Sequence, residues 1–174
     1  MSVRAFLGLG GNLGQPEHTI RQALAELSKH PNLVISSVSS FYRTEPVGMA
    51  AVEGESIPWF VNAVAQVETT LSARELLGLC LAVEQHFGRD RSFQPNRHGA
   101  LSRTLDVDLL LYGKQLISEP DLVVPHPRLH ERLFTLMPLN ELAPDLVHPL
   151  LQQPVGVLLQ ALPHQAGISL LQPA

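Results

Sequence analysis

The chain has 174 residues, 45% of them hydrophobic and 16% charged, with a formal net charge of −4. That composition supports a buried core and excludes a disordered chain, a coiled coil and a broadly basic nucleic-acid binder. A lone cysteine, Cys80, excludes an intrachain disulfide and a thiolate zinc cluster.

Residues 3–9 read as a central strand, nearly all apolar and so covered on both faces. The glycine-broken start, residues 1–14, matches neither a signal peptide nor a membrane span, so a cytoplasmic protein without a membrane partner is expected. Gly8, Gly10, Gly11 and Gly14 are expected to form a permissive turn after the strand. A helix follows from Pro16, with Ile20, Ala23, Leu24 and Leu27 on one stripe. Residues 34–42 read as a second strand, and 44–59 as a long connection with two prolines and two glycines, the length of a functional loop. Residues 60–67 alternate as a strand, Phe60, Asn62, Val64 and Gln66 on one face. Ser72 and Glu75 form a capping box that opens a helix to about Phe87, with Leu76, Cys80, Val83 and Phe87 as its apolar stripe.

Residues 104–112 read as the next strand, closed by Gly113, and 116–117 as a short returning edge strand. Short helices are expected over 127–134 and 155–162, with Pro138, Pro144, Pro149 and Pro154 cutting the rest into small pieces. The order β-α-β-β-α-β predicts one domain over 1–174, an α+β ferredoxin-like αβα sandwich with a mixed or antiparallel sheet.

The chemistry concentrates in two neighbouring stretches. Asp106 and Asp108 stand at strand spacing, so both carboxylates project from one face, with Val107, Leu109 and Leu111 facing the core. Adjacent carboxylates repel unless a cation lies between them, and magnesium, a hard ion that takes oxygen ligands and substrate phosphates, suits such a pair. Just upstream, Arg89, Arg91, Arg97 and Arg103 share fifteen residues with one acid, Asp90. On charge alone that stretch is equally an anion site or a solvated loop. Beside the acid pair it suits a polyphosphate. Phe60 and Asn62 set a ring beside an amide, equipment for a flat heterocycle, although such residues more often belong to a core. Glu84, judged by position alone, is a surface acid at a stripe's margin. His126, rigid between two prolines and followed by Arg128 and Arg132, is either a phosphate ligand or a turn residue. The glycine run matches neither a dinucleotide fingerprint nor a P-loop.

In chain order stand Phe6-Leu-Gly-Leu-Gly-Gly-Asn-Leu-Gly14, Ser40-Phe-Tyr-Arg-Thr-Glu-Pro-Val-Gly48, Phe60-Val-Asn62, Glu84 with Gly88-Arg89, Arg103-Thr-Leu-Asp-Val-Asp108 and Val124-Pro-His-Pro-Arg128. Together, over about residues 3–150, they resemble the 6-hydroxymethyl-7,8-dihydropterin pyrophosphokinases of folate biosynthesis. The resemblance implies transfer of diphosphate from ATP to the pterin's hydroxymethyl oxygen, with release of AMP. It implies two Mg2+ ions on Asp106 and Asp108, and charge stabilisation by Arg89 and Arg103. Glu84, Leu109, His126 and Arg132 would join those arginines on the nucleotide. Thr44, Val47, Gly48 and Asn62 would read the pterin edge, and Phe60 and Phe134 would stack on its ring. A monomer acting on small molecules, with no nucleic-acid partner, is expected. The chain departs from the family pattern at Arg97-His-Gly-Ala-Leu-Ser-Arg103, which is longer and lacks the usual proline and tryptophan. A metal-dependent nucleotide hydrolase and a non-catalytic module of the same fold are the competing readings.

Overall fold

A computed structural model describes residues 1–46, 57–88, 103–163 and 167–171. Strand β1 (Val3–Gly11) leads into helix α1 (Pro16–Leu27), then β2 (Leu33–Val38), β3 (Tyr42–Thr44) and β4 (Phe60–Thr69). Helix α2 (Ala73–His86) follows, then β5 (Asp106–Tyr112), the strands β6 (Ile117–Glu119) and β7 (Leu122–Val124), α3 (Leu133–Leu142), α4 (Val155–Ala161) and β8 (Ile168–Leu170). The main sheet runs β5-β1-β4-β3-β8 with β2 also on β4, and the pairings are antiparallel. Two β-α-β units interleave: β1 and β2 flank β4, while β4 and β5 flank β1. That interleaving is the ferredoxin-like arrangement.

Apolar alternation sorts the sheet into two faces. Ala5, Leu7, Leu9, Ala63, Ala65, Val67 and Val107 pack against Ile20, Ala23 and Leu27 of α1 and Leu76, Cys80 and Val83 of α2. Phe6, Val64, Leu110 and Leu111 pack against Leu136 and Leu139 of α3 and Val155 and Leu158 of α4. The sheet is therefore sandwiched between two helical layers. Helix α2 begins where its capping box requires: the Ser72 hydroxyl accepts from the Glu75 backbone, and the Glu75 side chain returns the bond to the Ser72 backbone.

Several expected boundaries shift, each for a physical reason. Gly8, Gly10 and Gly11 lie inside β1, the first two held by ladders on both sides and Gly11 by β4, and only Gly14, at φ 67°, belongs to the turn. The expected strand 34–42 is two strands, β2 and β3, both paired with β4, with an irregular register between Ile35 and Ser37. Residues 116–117 do not return to the main sheet; β6 pairs β7 in a separate hairpin. Leu111 faces the α3 and α4 layer rather than the opposite core. Phe6 pairs with Leu111 and Leu7 with Leu109, so Leu110 is an extra residue and the alternation breaks there. The expected helix 127–134 is a 3-10 turn, Leu129–Glu131, and α3 runs on through Pro138. Pro138 is itself buried beside Leu136 and Leu139, so packing outweighs the missing amide.

Candidate active site

The strand register builds the site. Asn62 of β4 pairs with Gly10 of β1, and Gly10 pairs with Asp106 of β5. One step along, Val64, Gly8 and Asp108 form the next row. At the sheet's centre β1 thus carries two glycines on the face where its neighbours carry an amide and two carboxylates. The result is a trough floored by Gly8 and Gly10 and walled by Asn62, Asp106, Asp108, Arg103, Arg132 and Phe134. A Cβ on Gly10 would sit 2.6 Å from the Asn62 Oδ1, so the glycine makes room for that amide.

Of the residues expected on the pterin side, Thr44, Phe60 and Asn62 share one wall. Asn62 is buried, and its Nδ2 donates to the Thr44 hydroxyl at 2.8 Å. Phe60 is buried on β4, two residues from Asn62 and therefore on the same face. The Arg103 Cζ lies 5.7 Å from the Phe60 ring centroid, and its Nη1 lies 3.3 Å from the Asp106 carboxylate. The Arg103 Nε is buried without a partner among the described residues. From the other side, Arg132 lies over Phe134 at 5.5 Å from Cζ to the ring centroid. Burial, then the charges of Arg128 and Arg103, lower the Arg132 pKa against the opposing pull of Asp108 and Asp106, yet a guanidinium remains a cation.

The outer edge of β5, away from β1, carries a second feature. The Val107 amide donates to Glu84 Oε1 at 2.8 Å, and the Leu110 carbonyl accepts from the His126 amide at 2.9 Å. A groove follows this edge, lined by Leu77, Leu81, Asp108, Leu109, Leu122 and His126. Leu109 and His126 therefore stand on the opposite side of β5 from Asn62, and Asp108 borders both cavities. Glu84 is no surface acid, since only 1% of it is exposed. Its carboxylate lies under the β5 edge, bound to the peptide between the two aspartates, and it does not line the groove. Burial, then Arg132, push the His126 pKa below the ordinary value, and its Nδ1 accepts from the Arg128 amide, so the neutral ring carries its proton on Nε2. Burial, then the carboxylates of Glu84 and Asp108, raise the Cys80 thiol to about 12, which removes it as a nucleophile.

Val47, Gly48 and Arg89, along with Arg91 and Arg97, lie outside the described residues. Sequence reasoning passed over Asn12, which is 3% exposed and ties separate parts of the site together. It also passed over the floor formed by Gly8 and Gly10. The available signal was glycine at i and i+2 inside an otherwise apolar strand, which marks a close approach.

The fold and site define a ferredoxin-like α+β protein with a paired-carboxylate, arginine-bearing trough on one face of its sheet. The model of the family described as 7,8-dihydro-6-hydroxymethylpterin-pyrophosphokinase (HPPK) matches residues 6–144. The chain is 41% identical over 142 residues to the 2-amino-4-hydroxy-6-hydroxymethyldihydropteridine pyrophosphokinase of Bacillus subtilis, covering 82% of this chain and 79% of the relative. It is 40% identical over 147 residues to the protein of the same name from Haemophilus influenzae, covering 84% of this chain and 86% of that one. Among solved structures, Plasmodium falciparum HPPK-DHPS with pteroate matches 92% of the chain at a TM-score of 0.70 and 15% identity. The match takes in 42% of that longer chain and speaks for the fold alone. This chain belongs to the 7,8-dihydro-6-hydroxymethylpterin-pyrophosphokinase family.

Proposed function

We propose that the protein transfers the terminal diphosphate of ATP to the hydroxymethyl oxygen of 6-hydroxymethyl-7,8-dihydropterin and releases AMP, a step of folate biosynthesis. The observation that supports this best is the two-row register across β4, β1 and β5. It sets the Asn62 amide and a pair of carboxylates on opposite sides of a glycine floor. A flat ring held by Asn62 would thereby face, across β1, a polyphosphate held near Asp108.

Two hard carboxylates on one strand face suit Mg2+ completed by phosphate oxygens, and we assign two ions to Asp106 and Asp108. Held by these carboxylates, magnesium would supply positive charge to offset that of the phosphates. The remaining work belongs to side chains. Arg103 and Arg132, joined by Arg89, hold phosphate oxygens through charge-assisted guanidinium hydrogen bonds. His126 donates from Nε2. The nucleotide base lies in the groove along β5, against Leu109. Asn62, braced by Thr44, reads the pterin edge together with the backbone at Val47 and Gly48. Phe60 and Phe134 stack on the ring and exclude water from the reacting alcohol. Glu84 acts through the β5 edge, fixing the direction of both aspartates. Rate comes from alignment of the alcohol with the β-phosphorus and from charge balance at the phosphates. The protein works as a monomer of one domain in the cytoplasm, on small molecules, without nucleic acid or membrane.

The test is product identity. Protein incubated with ATP, magnesium and hydroxymethyldihydropterin yields AMP and pterin diphosphate only when all are present. ADP, or AMP formed without pterin, would mark an ordinary kinase or a hydrolase. Binding of both substrates without product would mark a non-catalytic module.

A further inference from the structure

Asn12 follows directly on β1, and its partners are 46 and 91 residues away in sequence. Its Oδ1 accepts from the Arg103 amide at 2.9 Å, and its Nδ2 donates to the Pro58 carbonyl at 3.3 Å. Its own backbone N–H, with that of Leu13, donates to the Arg103 carbonyl at 3.0 and 3.3 Å. One buried amide therefore joins the chain entering β4 to the chain entering β5. Pro58 stands two residues before Phe60, and Arg103 three residues before Asp106. Across this junction the Arg103 guanidinium faces both Phe60 and Asp106.

Two further points show that the arrangement is built in. A Cβ on Gly11 would sit 2.4 Å from the Thr104 carbonyl oxygen, so β1 can lie this close to residues 103–104 only with glycine there. The junction also needs a short side chain that accepts at one end and donates at the other. Asparagine does both, and an ionised aspartate only accepts.

We propose that Asn12 is a positioning residue for the reaction, setting the Arg103 guanidinium against the aromatic wall and the acid pair by pinning the Arg103 backbone to that of Pro58. It touches neither substrate and acts through Arg103 on the phosphate side and through Pro58 on the pterin side. The inference rests on the reading given under Proposed function, and the experiment separates the two. Turnover by the unaltered protein tests that reading, and the variants test the junction.

Asn12→Ala is expected to lower kcat on the order of a hundredfold, the usual consequence of misplacing a catalytic group by about 1 Å. In an Arg103→Ala background the same change should lower kcat by less than about threefold, because two substitutions acting through one group are not additive. Asn12→Asp keeps the acceptor for Arg103 and loses the donor to Pro58. It should raise the pterin KM about tenfold with a smaller loss of kcat than Asn12→Ala. Hydrogen exchange at the Arg103 amide should quicken in Asn12→Ala and not in Asn12→Asp, whatever the turnover. Multiplying losses in the double variant, normal kcat in Asn12→Ala, or unchanged Arg103 exchange would each overturn the proposal. If Asn12→Ala does not fold, Asn12→Asp decides alone, and a kcat loss without a rise in pterin KM overturns it.

Discussion

Asp106 and Asp108 project from one face of a strand whose other neighbours are apolar, and each stands beside a glycine of β1. Replacing either with alanine is expected to remove most turnover while the pterin still binds, because the ring contacts proposed for Asn62 and Phe60 stand on a different strand. Turnover and pterin affinity measured on the same preparations check this; near-normal turnover at ordinary magnesium would refute the metal assignment. This pair was legible in the sequence because strand alternation is local. Asn12 was not, since its role depends on Pro58 and Arg103, and no pattern around Gly10 and Gly11 names those partners. Glu84 misled for a related reason. Helical periodicity put it at a margin, but the edge of β5 covers it and uses its carboxylate.

At the scale of elements, the helices with local start signals were the ones the sequence defined best. The capping box at Ser72 marks the start of α2 to the residue. Ser72→Ala should cost about 1 kcal/mol of stability, since it leaves a first-turn amide without its acceptor. A urea midpoint lowered at constant slope is the expected result, and an unchanged midpoint would show that the cap contributes nothing. Helix α3 escaped prediction because Pro138 reads as a breaker, whereas burial of Leu136, Pro138 and Leu139 against the sheet is a tertiary effect. The division of β2 from β3 and the short strand β8 are likewise fixed by partners far along the chain: β4 for the first two, β3 for the last. The extra residue Leu110 also has no local signal, since a run of leucines reads the same with or without a bulge.

For the molecule as a whole, the order of strands and helices was enough to give the two-layered sandwiching of the sheet and the face on which the acids stand. The same architecture gives it a pH dependence. His148 is buried against His130, and burial, then the charge of His130, hold its pKa below the ordinary 6.5. His126 is shifted in the same direction. Above pH 6.5 both folded and unfolded chains hold these rings neutral. As the pH falls below 6.5 the unfolded chain takes up the proton first, so stability declines until the depressed folded values are reached. Urea midpoints at pH 7.5 and 5.5 should therefore differ, with the protein less stable at 5.5. Substituting His148→Asn should shrink the difference without abolishing it, because His126 remains; an undiminished difference would assign the effect to other groups.

The central claim is that the acid pair on β5 grips divalent cations that carry a nucleotide's phosphates toward an alcohol on a flat ring. Its most direct test is a crystal grown with manganese, a non-hydrolysable ATP analogue and the pterin, examined for anomalous scattering. The account predicts manganese bound by Asp106 and Asp108, with the analogue's phosphates on Arg103 and Arg132 and the ring beside Asn62. Phosphates ordered in the trough with both carboxylates turned away and no anomalous peak between them would contradict it.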